Sequence, residues 1–431
     1  MQTKFSPQQL HAPAIAEADR ILRKCVHCGF CLATCPTYVL RGNELDSPRG
    51  RIYLVKDMLE AGRDADATVT LHIDRCLSCL GCMTTCPSGV DYMHLVDHVR
   101  VHIENTYRRP WPDRALRAML ARVLPYPRRL RPLLILAALA GRIGLALPGR
   151  LMALLRLAPR TLPRAAYAAA QIWPAEGETR MRAGLLAGCV QQPIAPEINE
   201  ATIRLLRRLG CEVVVVPEAG CCGALSHHLG RDREAAALAA RNVAAWTGEN
   251  ESRGLDAVIA NASGCGTMLK DYGHVLAQDP AHAEAAHAIA TLAADVSEVI
   301  ARLDLAAHVR PGTGAGLRVA YHAACALAHG QNITDLPARL LVEAGFEVCA
   351  VPEGHLCCGS AGTYNVLQPD FATDLGARKA AHIESTGADV VAAGNIGCLV
   401  QLRGHTGIPA VHTVELLDWA TGGPKPASLS Q

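Results

Sequence analysis

The sequence predicts an α/β chain: a small helical, cysteine-rich domain followed by a duplicated α/β domain. Three observations carry this. Eight cysteines fall in two tight runs within the first 107 residues. The last 250 residues repeat themselves, with short apolar strands alternating with helical patterns, the signature of parallel βαβ units. Composition fits a packed globular chain, with 431 residues, 50% hydrophobic and 19% charged, which excludes a disordered or fibrous protein.

The first run is Cys25-Val-His-Cys28-Gly-Phe-Cys31-Leu-Ala-Thr-Cys35-Pro36, and the second is Cys76-Leu-Ser-Cys79-Leu-Gly-Cys82-Met-Thr-Thr-Cys86-Pro87. Both have the C-x2-C-x2-C-x3-C-P form of two-cluster bacterial ferredoxins. Two intervening residues let a tight loop aim three thiolates at three corners of one cubane. The fourth cysteine lies too far along to close the same corner and reaches across to the other cluster. The expected ligand sets are therefore Cys25, Cys28, Cys31 and Cys86 for one [4Fe–4S] cluster, and Cys76, Cys79, Cys82 and Cys35 for the other. Paired zinc sites use separated C-x2-C units, which this spacing lacks. His27 is expected on the loop surface. Between the runs, Ser47-Pro48 opens an amphipathic helix to about Glu60, with Ser as N-cap and Pro at the first position. Arg49 and Arg51 on it either offset thiolate charge or begin a solvated helix.

The repeat is marked by its cysteines. Cys189 stands 32 residues before Cys221-Cys222-Gly223, and Cys325 stands 32 before Cys357-Cys358-Gly359. The offset between copies is 136 at both of these points, 135 at Val216-Pro217-Glu218 against Val351-Pro352-Glu353, and 133 at Cys265 against Cys398. Strands are expected at Met181–Gly188, Glu212–Val216 and Asp256–Ala260, and again at Leu317–Tyr321, Glu347–Val351 and Asp389–Ala393. Helices are expected at Glu197–Leu209 and Leu336–Glu343. A Cys-Cys-Gly turn presents two thiols to one centre, and the other cysteines converge on it from strand ends. Cys189, Cys221, Cys222 and Cys265 then form one group, and Cys325, Cys357, Cys358 and Cys398 the other. Each is either a four-ligand cluster or an empty structural fold. Cys211 and Cys349 read as small core residues, and His227-His228 as ordinary surface or core histidines.

From Arg108 to Arg164 there are thirteen Arg and one acid, Asp113, a local charge of +12 in a chain of net charge +2. The apolar run Leu133 to Leu147 contains Arg142 and is too short to span a bilayer. Basic amphipathic helices suit an anionic membrane surface; equally, they suit a connector whose Arg meet acidic neighbours or a partner. A nucleic-acid role is excluded by the absent recognition module. Residues 1–20 lack the apolar stretch of a signal peptide, so the cysteines are expected to meet a reducing cytosol. The domain limits are 1–107, 108–180, 181–310, 311–420 and a Gly/Pro/Ser-rich tail, 421–431, expected to be disordered.

The double cysteine run, the duplicated Cys-Cys-Gly domain, Lys24–Cys31 and Asn43-Glu-Leu-Asp-Ser-Pro-Arg-Gly-Arg51 together resemble the glycolate oxidase iron–sulfur subunit family. The resemblance implies an electron-transfer subunit without catalytic residues of its own, inactive alone. It would serve a hetero-oligomer whose partner subunits carry flavin (FAD) and oxidise glycolate to glyoxylate, with lactate as a second candidate substrate. Electrons would pass to a quinone-type acceptor at the cytoplasmic face of the inner membrane. Related architectures occur in lactate and anaerobic glycerol-3-phosphate dehydrogenases and in heterodisulfide reductase. The last of these ends its motif in C-x2-C, whereas Ala262 and Asn395 stand three before the final cysteines here. No G-x-G-x-x-G follows a strand, so this chain offers no dinucleotide site of its own.

Overall fold

The computed structural model describes residues 1–143, 149–159, 162–163 and 171–430. The N-terminal domain is built from helices Pro13–Lys24, Pro48–Glu60, Ala67–Asp74 and Tyr92–Thr106. Side-chain caps set three of the starts: Ser47 accepts from the Gly50 amide, Asp66 from that of Val69 and Asp91 from that of His94. Their inner faces bring Ile21, Leu22, Met58, Ile73, Val99 and Ile103 into one core.

The duplicated region forms two sheets. The first comprises β1 (Gln171–Trp173), β2 (Met181–Leu185), β3 (Cys211–Val215), β4 (Ala257–Ala260) and β5 (Ala293–Asp295), in the order β1-β3-β2-β4-β5. The second comprises β6 (Arg318–His322), β7 (Glu347–Cys349), β8 (Val390–Ala393) and β9 (Ala410–His412), in the order β7-β6-β8-β9. All pairings are parallel except the edge strand β1 on β3. Buried on both faces, the inner strands β4 and β8 read as continuous Ala/Val/Ile runs, while the edge strands β1 and β7 are partly exposed. The strands match the expected ones to within a few residues: β2 stops at Leu185 as the chain turns toward Cys189, and β7 stops before Pro352. Helices Glu197–Arg208 and Leu336–Glu343 lie where the periodicity puts them.

The two copies meet at the carboxyl ends of their strands. The Ser263 amide donates to the Gly394 carbonyl at 3.1 Å, and His412 Nε2 lies 2.7 Å from the Asn261 carbonyl. A single apolar core, from Ala183 through Ala420, runs through both. In open parallel sheets this carboxyl edge is where ligands bind, and all three cysteine-bearing segments of each copy lie there.

The arginine-rich segment forms helices Trp111–Val123, Pro127–Arg142 and Gly149–Leu157; its residues 144–148, 160–161 and 164–170, with Leu147, Arg160 and Arg164, lie outside the described residues. Its positive charge divides in two. Arg109 and Arg117 are buried, and both pair with Asp74 and Asp113, while Arg150 also reaches Asp113. Leu120 and Ala121 pack on Leu229 of copy one and on Val366 and Leu367 of copy two. The outer face is different: Ile135, Leu136, Leu139 and Ile143 are exposed at helical spacing, with Arg128, Arg129 and Arg142 beside them. No helix among the described residues is long and apolar enough to cross a membrane.

The expectation of a disordered tail is corrected. Thr421 is buried, its hydroxyl bonding the Leu417 carbonyl; Leu429 packs against the core, and the Lys425 ammonium sits 5.7 Å over the Trp419 ring. Gly, Pro and Ser here make short turns against a hydrophobic surface.

Candidate iron–sulfur site

The two cysteine loops share a backbone. In the first, His27 and Gly29 have φ of 56° and 86°; in the second, Ser78 and Leu80 have 49° and 62°. Alternating left-handed residues curl each loop so that its three cysteines face one side. Cys35 then caps helix Pro36–Arg41, and Cys86 follows helix Gly81–Thr84. Cys25, Cys28, Cys31 and Cys86 line one cavity, together with Pro48 and Ile52. Cys35, Cys76 and Cys79 line a second, with Arg51, Leu77 and Tyr92, and Cys82 borders both. His27 is half-buried, with Nε2 unpartnered.

This donor set fits a soft, thiophilic metal cluster. All eight thiols are free. Burial pushes the Cys31 thiol up to about 11 and raises Cys79 and Cys82 far above the usual thiol range, with neighbouring thiols adding to the effect. Such groups ionise only against cationic metal. The neighbouring polar groups are also placed for it. Arg51, 1% exposed, lies at the second cavity: its Nε donates to the His72 carbonyl at 2.7 Å, Nη2 to Thr37 Oγ1 at 3.0 Å, and Nη1 lies 3.8 Å from Cys35 Sγ. Asp46, buried beside it, takes His72 and Arg75. Arg49 instead pairs with Glu44 at the surface and reaches the His27 carbonyl at 3.4 Å. The two arginines thus serve different loops, which the sequence alone did not separate.

Each Cys-Cys-Gly turn is enforced by packing. Gly223 and Gly359 have φ of 95° and 89°, and a Cβ on Gly359 would stand 2.7 Å from the Ala372 carbonyl oxygen. Their amides donate to Cys221 Sγ at 3.5 Å and Cys357 Sγ at 3.4 Å. In copy one, Cys189 neighbours Cys221 and Cys265 neighbours Cys222; the interaction with Cys189 and Cys222 holds the Cys221 thiol well below its ordinary range. In copy two, Cys325 Sγ lies 3.7 Å from Cys357 Sγ, and Asn395 Nδ2 donates to Cys398 Sγ at 3.4 Å. The structure therefore gathers all four expected cysteines in each copy. Cys211 lies in the core, and Cys349 packs against it half-buried. His227 and His228 have a definite role: both face the buried Asp97 of the N-terminal domain.

The N-terminal domain rests on both copies. On copy two the seam has an apolar centre, with Leu77, Cys79, Cys325, Cys357, Tyr364 and Phe371 packed together; around it Tyr364 donates to the Arg75 carbonyl at 3.0 Å, Thr84 bonds His329 and Arg41 pairs with Asp374. On copy one it is polar, through Asp97 and through His94, whose Nε2 lies 3.0 Å from Asp271.

Comparison with known proteins agrees with this geometry. Residues 24–90 match the 4Fe-4S dicluster domain family, and residues 183–270 and 319–403 match the cysteine-rich domain family. The chain is 39% identical over 97% of its length to the glycolate oxidase iron-sulfur subunit of Escherichia coli, of which 99% is covered. It is 32% identical over 93% to a probable glycolate oxidase iron-sulfur subunit of Bacillus subtilis, covering 94% of it. Lactate utilization protein A of Bacillus licheniformis is 28% identical over 55% of this chain and 99% of its own. A crystal structure of a hypothetical protein from Helicobacter pylori shares the fold, with a TM-score of 0.55 at 10% identity over 97% of this chain and 74% of that one. With paired cysteine loops and a doubled Cys-Cys-Gly domain matched along nearly its whole length, the chain belongs to the glycolate oxidase iron–sulfur subunit family.

Proposed function

We propose that this chain is the electron-transfer subunit of a glycolate oxidase complex, taking electrons from a flavin-bearing partner that oxidises glycolate and delivering them to a quinone-type acceptor. One cluster is held by Cys25, Cys28, Cys31 and Cys86, the other by Cys76, Cys79, Cys82 and Cys35. When bound, such clusters supply one-electron carriers over a wide range of potentials. The chain's own residues supply the order. Cys28 is exposed, and Val26, Phe30 and Tyr53 around it are 65%, 64% and 61% exposed, an apolar face suited to a partner subunit. The second loop is instead covered by copy two, with Cys79 beside Cys325. That sequence of exposed loop, buried loop and inner cysteine group is the observation that carries the reading. Arg51 places a cation beside the buried loop, favouring a reduced, more negative cluster.

The chain itself is expected to have no glycolate activity. Anaerobically purified protein should stay oxidised with glycolate or lactate and become reduced only when the flavin subunits are added. Reduction by the chain alone would overturn the relay. The exposed stripe Ile135, Leu136, Leu139 and Ile143, flanked by arginines, is assigned to peripheral contact with the cytoplasmic membrane face, at about 1 kcal/mol per basic side chain near anionic lipid. Binding to anionic vesicles should fall steeply with salt and be lost in Leu136→Asp. If vesicles are ignored while Arg128→Ser and Arg129→Ser release the flavin partner, the face is a subunit dock instead.

A further inference from the structure

The two Cys-Cys-Gly copies differ at a position that the relay does not use. Copy one carries Leu186 just beyond β2; at the copy offset of 136 stands His322, the last residue of β6. Leu186 is 2% exposed and packs with Cys222 and Val258 in an ordinary apolar core. His322 is 1% exposed, and neither of its ring nitrogens has a hydrogen-bond partner. A buried polar group left unpaired is destabilising, so the site calls for a partner. Sulfur surrounds it: a ring nitrogen, Cys358 Sγ and Cys398 Sγ all lie within 4.8 Å of one another, and all three residues are buried. Cys325 and Cys357 adjoin them. One imidazole and four thiols converging on one buried point is a ligand set. Copy one, with leucine in the imidazole's place, has only the thiols.

We infer that copy two holds an iron–sulfur centre in which His322 is a ligand beside its cysteines, and that copy one cannot form the same centre. Iron rather than zinc follows from position. Cys325 and Cys357 share a packed cluster with Cys79, so the centre is the next stop for an electron leaving the buried ferredoxin loop, and a redox-inert ion there would end the path. A neutral imidazole in place of a thiolate makes the centre less negative and raises its potential, as in clusters where histidine replaces cysteine. The two electrons of each substrate oxidation would pass singly, each entering from the Cys79 side and leaving to the acceptor before the next, so the centre would end each turnover as it began.

The inference rests on the relay reading for the choice of iron over zinc and for the direction of flow, while the ligand set rests on geometry alone. Its test uses the full chain, purified anaerobically and reduced with dithionite, with no partner or substrate, so failure here leaves the relay standing. Iron and acid-labile sulfide should exceed the roughly eight of each that two cubanes require. Electron spin echo spectroscopy should show a directly bound nitrogen in the native protein and none in His322→Leu or His322→Cys. His322→Cys, which keeps a ligand if His322→Leu does not fold, should retain the extra iron and lower the midpoint potential of that centre alone. Iron stopping at about eight, zinc in the site, or nitrogen coupling that survives His322→Cys would each overturn the assignment.

Discussion

The two cysteine loops are near twins in sequence and backbone, yet they sit in opposite surroundings. Val26 of the first loop is 65% exposed; Leu77, at the matching position of the second, is 6% exposed. Phe30 points to solvent, whereas its counterpart Gly81 is buried, with His329 of copy two close enough that a Cβ would stand 3.6 Å from its ring. The motif sets how a loop gathers thiols. The residues between the cysteines set what the loop faces, and so which end of the relay it serves.

The strongest challenge to this comparison is to remove one fourth cysteine. Cys35→Ser should abolish the cluster shared with Cys76, Cys79 and Cys82 and leave the exposed one, costing about half of the N-terminal iron. Spectroscopy showing the Cys25, Cys28 and Cys31 cluster lost instead would mean the fourth cysteines do not cross. The two arginines of helix Pro48–Glu60 give the next contrast. Arg51→Met leaves Asp46 buried and short of a partner, at a cost of about 3–5 kcal/mol. Arg49→Met breaks a surface pair with Glu44 and should cost under about 1 kcal/mol. Denaturant unfolding of the two variants measures both, and equal losses would erase the distinction between loops.

A smaller contrast separates folding from docking. Leu77→Ala should destabilise the chain by about 2–5 kcal/mol through the cavity left against Tyr364 and Phe371. Phe30→Ala should leave stability unchanged and weaken the flavin partner by about 1–2 kcal/mol, roughly tenfold in Kd. A Phe30→Ala protein that binds its partner normally would remove the exposed loop from the interface.

Much of this was readable beforehand because spacing encodes it. The C-x2-C-x2-C-x3-C runs, the doubled Cys-Cys-Gly and the Ser47-Pro48 helix start are local signals, and local signals survive without knowledge of packing. What spacing does not carry is which surface a loop meets. Nothing near Arg49 and Arg51 tells which one is buried, since Asp46, His72 and Thr37 converge on Arg51 only in three dimensions. His322 had a signal: aligning the copies at their offset of 136 sets it against Leu186, a polar residue where the repeat is apolar. The tail departs from its composition because composition reports chain flexibility but not the hydrophobic surface that Leu429 finds. The pairing of His227 and His228 with Asp97 depends on domain docking, which no periodicity records.

The subtlest contrast lies between the two seams under the N-terminal domain, because His94 on one and His329 on the other are shifted in opposite directions. The seam on copy two is built from Leu77, Tyr364 and Phe371, with His329 on Thr84, and burial lowers that imidazole so that it stays neutral above pH 6.5. The seam on copy one includes His94, stacked on His274 at 3.6 Å between ring centroids and bonded to Asp91 and Asp271. Burial disfavours its charge, but the bonds to Asp271 and Asp91 outweigh burial and raise it from 6.5 to about 10. A group raised on folding stabilises fully below its unfolded value, and that stabilisation is lost as pH climbs through the folded one. The copy-one seam should therefore hold through pH 6.5 and loosen progressively toward pH 10, by about 1 kcal/mol once solvent screening is allowed for. Amide hydrogen exchange, corrected for its intrinsic pH dependence, should show protection around Tyr272–Val275 falling about fivefold over that range, while the segment Tyr364–Leu367 on copy two stays level. His94→Gln should flatten the first response and leave the second untouched. Parallel loosening of both seams would mean that the domain lifts off as one piece and that His94 does not govern its side of the contact.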